Sequence, residues 1–306
     1  MSSFDVTIIG SGPVSLFEAI HQSNLGKSVL LIEERRQLGG AWSSIEYEPG
    51  HRYEIGCHIW DVDKDAYSFV EKYLGEELSP FYPAPIAVWR DLKIPYDWKN
   101  NIIALRILMR KPKHFFSSKR KVRMQLIPRN YSYPKGGSEA LVSKLISDIK
   151  RLNVSVMQGS GVSSVEVIPE GFVLTVGQDQ VSTSELACTS FSSFPEVKVG
   201  DRVLRTNRVE EDFWHFQFVV ENNEAKRMSY ARIIGHPFIH RVSDITSLSQ
   251  GNNQVFSIGI FTNSTRGMSR EDVVFIIESA LRKWNWISPE AIVVKHFDNL
   301  YSMRRP

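Results

Sequence analysis

Hydrophobic positions along the first forty residues follow two periods in turn. Val6, Ile8 and Ile9 belong to a short β-rich run, Phe4 to Ile9, that ends in Gly10-Ser11-Gly12-Pro13-Val14-Ser15. Leu16, Phe17 and Ile20 then recur at helical spacing up to about Leu25, and Gly26 suits the position just past a helix end. Ser28-Val29-Leu30-Leu31-Ile32 is a continuous apolar run, as expected of a strand buried on both faces, and Glu33 closes it 23 positions after Gly10. The pattern predicts strand, glycine turn, helix and strand.

Further on, Asp65 to Leu74 predicts a helix with an apolar stripe of Ala66, Phe69, Val70, Tyr73 and Leu74. Leu141, Leu145, Ile149 and Leu152 predict another. Val154-Ser155-Val156 reads as a strand, Val162 to Ile168 and Phe172 to Val176 as a hairpin around Pro169-Glu170-Gly171, and Leu186 to Thr189 as a strand returning to the first sheet. From about Ser190 the character changes. Phe213 to Val220 alternates partly and Ser257 to Phe261 is apolar. Ser269-Arg270-Glu271-Asp272 resembles a capping box, followed by Val273, Ile277, Leu281 and Trp284 on one helical face. There is no internal repeat and no low-complexity segment.

Composition narrows the class. Of 306 residues, 42% are hydrophobic, enough for a sizeable core and too many for a disordered chain. Two cysteines, Cys57 and Cys188, exclude a disulfide-stapled scaffold and a cysteine-rich zinc site, and no metal spacing such as H-E-x-x-H occurs. A net charge of +3 does not argue for nucleic acid. No apolar run reaches the 18 or so residues of a membrane span, and Met1-Ser2-Ser3-Phe4-Asp5 lacks a basic leader, so a cytoplasmic protein is expected.

The first motif is a dinucleotide fingerprint in its structural context. Gly10 permits the tight turn, Gly12 lets backbone approach a pyrophosphate, and the helix N-terminus supplies positive partial charge. Ser15 stands at the third glycine position and is small enough for close helix–strand packing, while Glu33 is placed to accept hydrogen bonds from ribose hydroxyls. Glu34-Arg35-Arg36-Gln37-Leu38-Gly39-Gly40-Ala41-Trp42 follows. Gly39 and Gly40 offer bare backbone beside a ring or phosphate, and Arg35 and Arg36 either reach phosphates or are solvated surface charges.

This segment resembles FAD-dependent proteins with the glutathione-reductase type of nucleotide-binding fold, which implies FAD rather than NAD. Two later motifs narrow the resemblance. Gly56-Cys57-His58-Ile59-Trp60 is similar to a segment that passes near the flavin in UDP-galactopyranose mutases and amine-oxidase-like flavoproteins, although Asp61 stands where the mutases have a second histidine. His58 is then a candidate to hydrogen-bond flavin or substrate or to relay a proton, the alternative being a core histidine satisfied by backbone. Cys57 reads as a small buried residue. Pro134-Lys135-Gly136-Gly137 before a helix resembles the P-x-G-G segment of phytoene-desaturase-like, protoporphyrinogen-oxidase-like and mutase proteins. In such relatives the following strands place backbone on the adenine, which makes Val162 to Val165 the candidate contact, Val162 first.

The fold class implied is α/β, with an FAD-type Rossmann-like nucleotide-binding domain (residues 1–78 and 128–195) interleaved with an α+β substrate domain (79–127 and 196–306). Residues 79–98 are rich in proline and aromatics and are either strands lining a ligand cavity or ordinary aromatic core. Residues 98–138 hold eleven Lys or Arg and no Asp or Glu, densest at Lys119-Arg120-Lys121-Val122-Arg123. This run is an anionic ligand site, a membrane or nucleic-acid surface, or a solvated basic face. Arg232, His236, His240 and Arg241 are site candidates by fold analogy.

Relatives in the family continue past this length with a glycine-containing segment over the flavin ring and pyrophosphate. The resemblance therefore implies a shortened chain, a partner subunit that completes the flavin site, or loss of tight flavin binding. Three functions follow: an FAD-dependent oxidoreductase of the amine-oxidase-like group acting on a small molecule, a flavin-dependent mutase acting on a nucleotide sugar, or a partner-dependent, non-catalytic flavoprotein-like module.

Overall fold

The computed structural model describes residues 2–48, 51–54, 60–61, 71, 73–75, 78–80, 86–89, 92–95, 131–134, 137–188, 196–205, 210–225, 228–234, 236–246 and 253–304. In chain order the elements begin with β1 (Ser2–Ile9), α1 (Pro13–Asn24), β2 (Val29–Glu33), β3 (Ser44–Glu48), β4 (His51–Glu54), β5 (Trp60–Asp61) and β6 (Leu78–Pro80). They continue with β7 (Ile86–Trp89), β8 (Leu92–Pro95), β9 (Tyr131–Pro134), α2 (Ser138–Arg151), β10 (Ser155–Gln158), β11 (Val162–Ile168), β12 (Gly171–Val176) and β13 (Asp179–Cys188). The last are β14 (Glu196–Val199), β15 (Arg202–Arg205), β16 (Glu210–Glu221), β17 (Tyr230–Ile234), β18 (Ile239–Asp244), β19 (Gln254–Phe261), α3 (Arg270–Lys283) and β20 (Ile292–Arg304).

The chain divides into two compact units. The first comprises Met1–Ile45, Ser138–Glu210 and Met303–Pro306; the second comprises Glu46–Gly137 and Glu211–Ser302.

The first unit is built on an eight-stranded sheet of order β10-β2-β1-β13-β12-β11-β14-β15. Its first four strands are mutually parallel, and their registers Gln158↔Glu33, Ile32↔Ile9 and Ile9↔Cys188 bring their C-terminal ends to one edge. All five residues of β2 are buried, the burial its unbroken apolar run implied. Helices α1 and α2 pack together through the buried Leu16, Ala19, Ile20, Leu141, Val142, Leu145 and Ile149. Both helices are amphipathic at the 3.6-residue period, and α2 also has Glu139 in its first turn and Lys150 and Arg151 in its last, complementing its dipole. A second cluster joins Ile9, Leu30 and Ile32 to Val162, Val165, Leu174, Val176 and Val181 of the antiparallel meander. The meander turns at Glu170-Gly171, and Gly171 has φ +139°, a conformation that favours glycine.

The second unit is built on a seven-stranded sheet of order β20-β16-β19-β18-β17-β7-β8, with a three-stranded sheet β5-β9-β6. Strands β16 to β19 alternate. Phe216, Phe218, Ala231, Ile233, Val242, Phe256, Ile258 and Ile260 form the core with Val273, Ile277, Leu281 and Trp284 of α3. The helix starts at a true capping box: Ser269 Oγ accepts from the Asp272 N–H, and the Asp272 carboxylate accepts from the Ser269 N–H. Among the described residues no helix is long and apolar enough to cross a membrane.

Candidate functional site

The site forms where β1 ends. Gly10 has φ +89°, which reverses the chain at the edge of the sheet, and its N–H donates to the Ile32 carbonyl at 2.8 Å. Gly12 is the N-cap of α1 and Pro13 its first residue, where a missing N–H costs nothing. No side chain caps this helix and its first turn has no acidic residue. Its N-terminal N–H groups and positive dipole end are therefore available to an anion. Val14 is 69% exposed, whereas Ser15 is buried, consistent with a position that tolerates only a small side chain against the sheet.

Glu33 is buried at this edge, and its carboxylate organises the loops. Oε2 accepts from Ser11 N–H at 2.9 Å and Ser11 Oγ–H at 2.5 Å, and Oε1 accepts from Arg35 N–H at 2.9 Å. Ser11 in turn receives the Gly39 N–H on both its carbonyl oxygen and its Oγ, each at 3.1 Å. Glu33 thus ties the glycine loop to the segment after β2, with one acceptor direction left on Oε1. Ser11 is the residue that sequence reasoning passed over. Its place between the two glycines was visible, but its role depends on a partner 22 positions away.

Gly39 (φ +108°) and Gly40 (φ +57°) bring bare backbone against this loop. A Cβ on Gly40 would lie 3.5 Å from Gly12 Cα, and one on Gly39 would lie 2.7 Å from Val142 Cγ1. A Cβ on Gly12, in contrast, would meet nothing within 4 Å. The structure therefore holds a glycine-walled space at the end of an uncapped helix, which fits a pyrophosphate. Ala41 and Trp42 complete a short 3₁₀ turn with Gly40 and are half-buried.

Glu34, Arg35 and Arg36 are exposed beside the end of β10. Gly159 N–H donates to the Arg35 carbonyl at 3.1 Å, Gln158 Nε2 donates to the Arg36 carbonyl at 3.1 Å, and a Cβ on Gly161 would lie 3.6 Å from Glu34 Cβ. The segment next to the Glu33 edge is thus Gly159-Ser160-Gly161, while Val162 is buried in the core of the sheet. Gly56, Cys57 and His58, and the basic stretch Lys119 to Arg123, lie outside the described residues. Cys188 is half-buried at the end of β13. Among the described residues no group of three or more His, Cys, Asp or Glu could hold a metal ion.

Removing the Glu33 carboxylate should be costly even without a cofactor. A Glu33→Ala chain leaves two backbone N–H groups and the Ser11 hydroxyl without their acceptor, so it should lose about 2 kcal/mol of unfolding free energy. Urea denaturation of the cofactor-free protein checks this; an unchanged midpoint would show that the tie contributes nothing.

Comparison with known proteins agrees with this geometry. The model of an NAD(P)-binding Rossmann-like domain matches residues 8–73. Carotenoid 3,4-desaturase of Haloarcula japonica is 33% identical over 82 residues, which is 27% of this chain and 16% of the desaturase. The chain therefore aligns with only a small part of that relative. The structure of reduced UDP-galactopyranose mutase superposes with a TM-score of 0.73 at 12% identity, covering 98% of this chain and 82% of that one. Wild-type putrescine oxidase bound to putrescine superposes with a TM-score of 0.69 at 14% identity, covering 97% and 84%. The chain carries an NAD(P)-binding Rossmann-like domain, and its α/β fold is the one shared by these two enzymes.

Proposed function

We propose that this protein is an FAD-dependent oxidoreductase of the amine-oxidase-like group, with the dinucleotide held by the first unit. The observation that carries the reading is the closure of Gly39-Gly40 onto the Gly10-Ser11-Gly12 turn, with Glu33 hydrogen-bonded to Ser11 behind both. Two glycine segments, rather than one, surround the space in front of α1. Gly12, Val14 and Ser15 offer backbone N–H groups to the pyrophosphate, while Gly10 makes the turn and Pro13 opens the helix whose dipole faces it. Glu33 has an acceptor direction left for a ribose hydroxyl, with Glu34 and Arg35 at the same edge. Gly39, Gly40, Ala41 and Trp42 supply close backbone on the other side. Gly56 and His58 are assigned to the flavin side on motif alone.

When bound, FAD would supply the two-electron acceptor for oxidation of a C–N or C–C bond. The chain's own contribution is placement: buried Ser11 and Glu33 hold the loop, and the glycines leave its volume open. The fold shared with UDP-galactopyranose mutase supports a second reading, a flavin-dependent mutase acting on a nucleotide sugar, although Asp61 in place of a histidine argues against it.

The test is the visible absorption spectrum of the purified 306-residue chain, with the released cofactor identified after denaturation. A stoichiometric yellow chromophore identified as FAD is expected. A colourless protein that takes up no added FAD would overturn the assignment.

A further inference from the structure

The meander of the first unit covers its parallel sheet incompletely. Its β12–β13 turn, Gly177-Gln178, is closed by the pair Val176↔Asp179 and relies on Gly177 at φ +61°. At the other side β10 is the edge strand of the sheet and is four residues long. A cleft of about 610 Å³ is lined by this turn and this edge. Its floor is apolar and consists of Phe4, Leu30, Met157 and Val181. Leu30 and Val181 are buried, and Phe4 and Met157 are half-buried. All four belong to or pack against the cluster that the meander builds, which among the described residues includes none of α1 or α2. The cleft is also separate from the glycine loops: none of the residues assigned above to the dinucleotide lines it.

The walls are polar. Ser155 faces the same way as Leu30, its register partner on β2, and Gln178, Asp179 and Gln180 come from the turn. All four wall residues are exposed, so their polar groups are open to a ligand. Among the described residues that line the cleft, Asp179 is the one charged side chain, and no Lys, Arg or His accompanies it. An anion entering here would meet a carboxylate with no cation to offset it. An ammonium would gain an ion pair beside an apolar floor, where the local dielectric is lower than in bulk water. The volume falls within the range of small-molecule sites, and an apolar floor with a few polar groups around it is their usual composition.

We propose that this cleft binds an aromatic amine, its ring on the floor of Phe4, Leu30, Met157 and Val181 and its ammonium at Asp179. A flat ring suits both the phenyl ring of Phe4 and the thioether of Met157, each of which packs well against aromatics. The Ser155 hydroxyl and the Gln178 and Gln180 amides serve further polar substituents, since each can donate and accept. The site lies apart from the nucleotide loops and does not depend on the oxidoreductase reading.

The test is calorimetric titration of the full chain with tryptamine, tryptophol and indoleacetate, which share one ring system and differ in charge. Tryptamine should bind at least about fivefold more tightly than indoleacetate, with tryptophol between them. The gap should narrow at high salt, because Asp179 is exposed. Asp179→Lys should invert the order. Ser155→Trp, which sets a large side chain beside Leu30, should weaken all three about tenfold or more. An amine substrate at a flavin would also bind tryptamine, but that binding would survive both substitutions; only binding that they alter belongs to this cleft. Should Ser155→Trp fail to fold, the inversion by Asp179→Lys decides alone. The proposal is overturned if no probe binds, if indoleacetate binds as tightly as tryptamine, or if both variants bind the probes as the parent does. A colourless protein that nevertheless binds tryptamine in this Asp179-dependent way would remove the flavin assignment and leave this one standing.

Discussion

A Gly12→Val chain should fold as the parent does and fail to retain its cofactor. Gly12 sits at φ −60°, ψ 162°, a conformation open to any L residue, and a Cβ added there meets no atom within 4 Å. The apoprotein should therefore melt as the parent apoprotein does. The space the valine fills is the one that the uncapped end of α1 and the Gly39-Gly40 backbone leave for a pyrophosphate. Losing that approach should weaken FAD binding at least about a hundredfold, or about 2.7 kcal/mol. Gly39→Val provides the contrast. At φ +108°, with Val142 Cγ1 2.7 Å from the added Cβ, that change strains the fold itself and should lower stability by about 2–4 kcal/mol. Bound flavin after desalting and thermal melting of the apoproteins separate the two effects. Flavin retained at the parent level by Gly12→Val would mean that this loop is not the nucleotide site.

The contrast between these two glycines marks the boundary of what the amino-acid order reveals. The loop, α1, β2 and the terminal Glu33 were legible because each announces itself locally: a period of two, a turn, a period of 3.6, then a fully apolar run. The hairpin around Glu170-Gly171 and the capping box of Ser269 and Asp272 were legible for the same reason. The partners that make these residues a site were not. Ser11 reaches Glu33 across 22 positions, and β13 joins β1 from about 180 positions away, contacts that no local period encodes. Strands β14 and β15 went unread because half-exposed segments such as Glu196-Val-Lys-Val carry little hydrophobic contrast. Strand β20 went unread for a related reason: it lies at an edge of its sheet and is exposed at Ile292 and Val294.

The burial of the polar face of strands β16 to β19 was not legible either. Alternation of apolar and polar residues ordinarily marks a sheet with one wet face. Here the polar positions His215, Gln217, Ser243 and Ser257 are as buried as the apolar ones. Alternation reports the chemistry of a face and not its exposure. A buried polar face therefore looks, in sequence, like an ordinary surface.

That face should also control how the protein responds to acid. The bulge at Ile239–Arg241 and the bare Gly259 hold the His240 ring over the sheet, where burial first and then the Arg241 and Arg232 guanidiniums lower its pKa from 6.5 to about 2. Between those values the unfolded chain binds a proton that the folded chain refuses. Unfolding free energy should therefore be unaffected by His240 above about pH 6.5 and fall as the pH drops below it, by up to about 1.4 kcal/mol per unit. At pH 4.5 this single group should have removed about 2.7 kcal/mol. His240→Gln, which cannot take up the proton, should lack that part of the loss. Asp5, whose pKa is lowered by its hydrogen bonds to Ser28, also destabilises the fold in acid, but it does so equally in both chains and cancels in the comparison. Urea unfolding of parent and variant at pH 7 and pH 4.5 makes the measurement. The gap between the two chains should shift in favour of the variant on acidification. Parallel losses would show that His240 is protonated in the folded protein, and that the neutral ring between two arginines is not how this face is built.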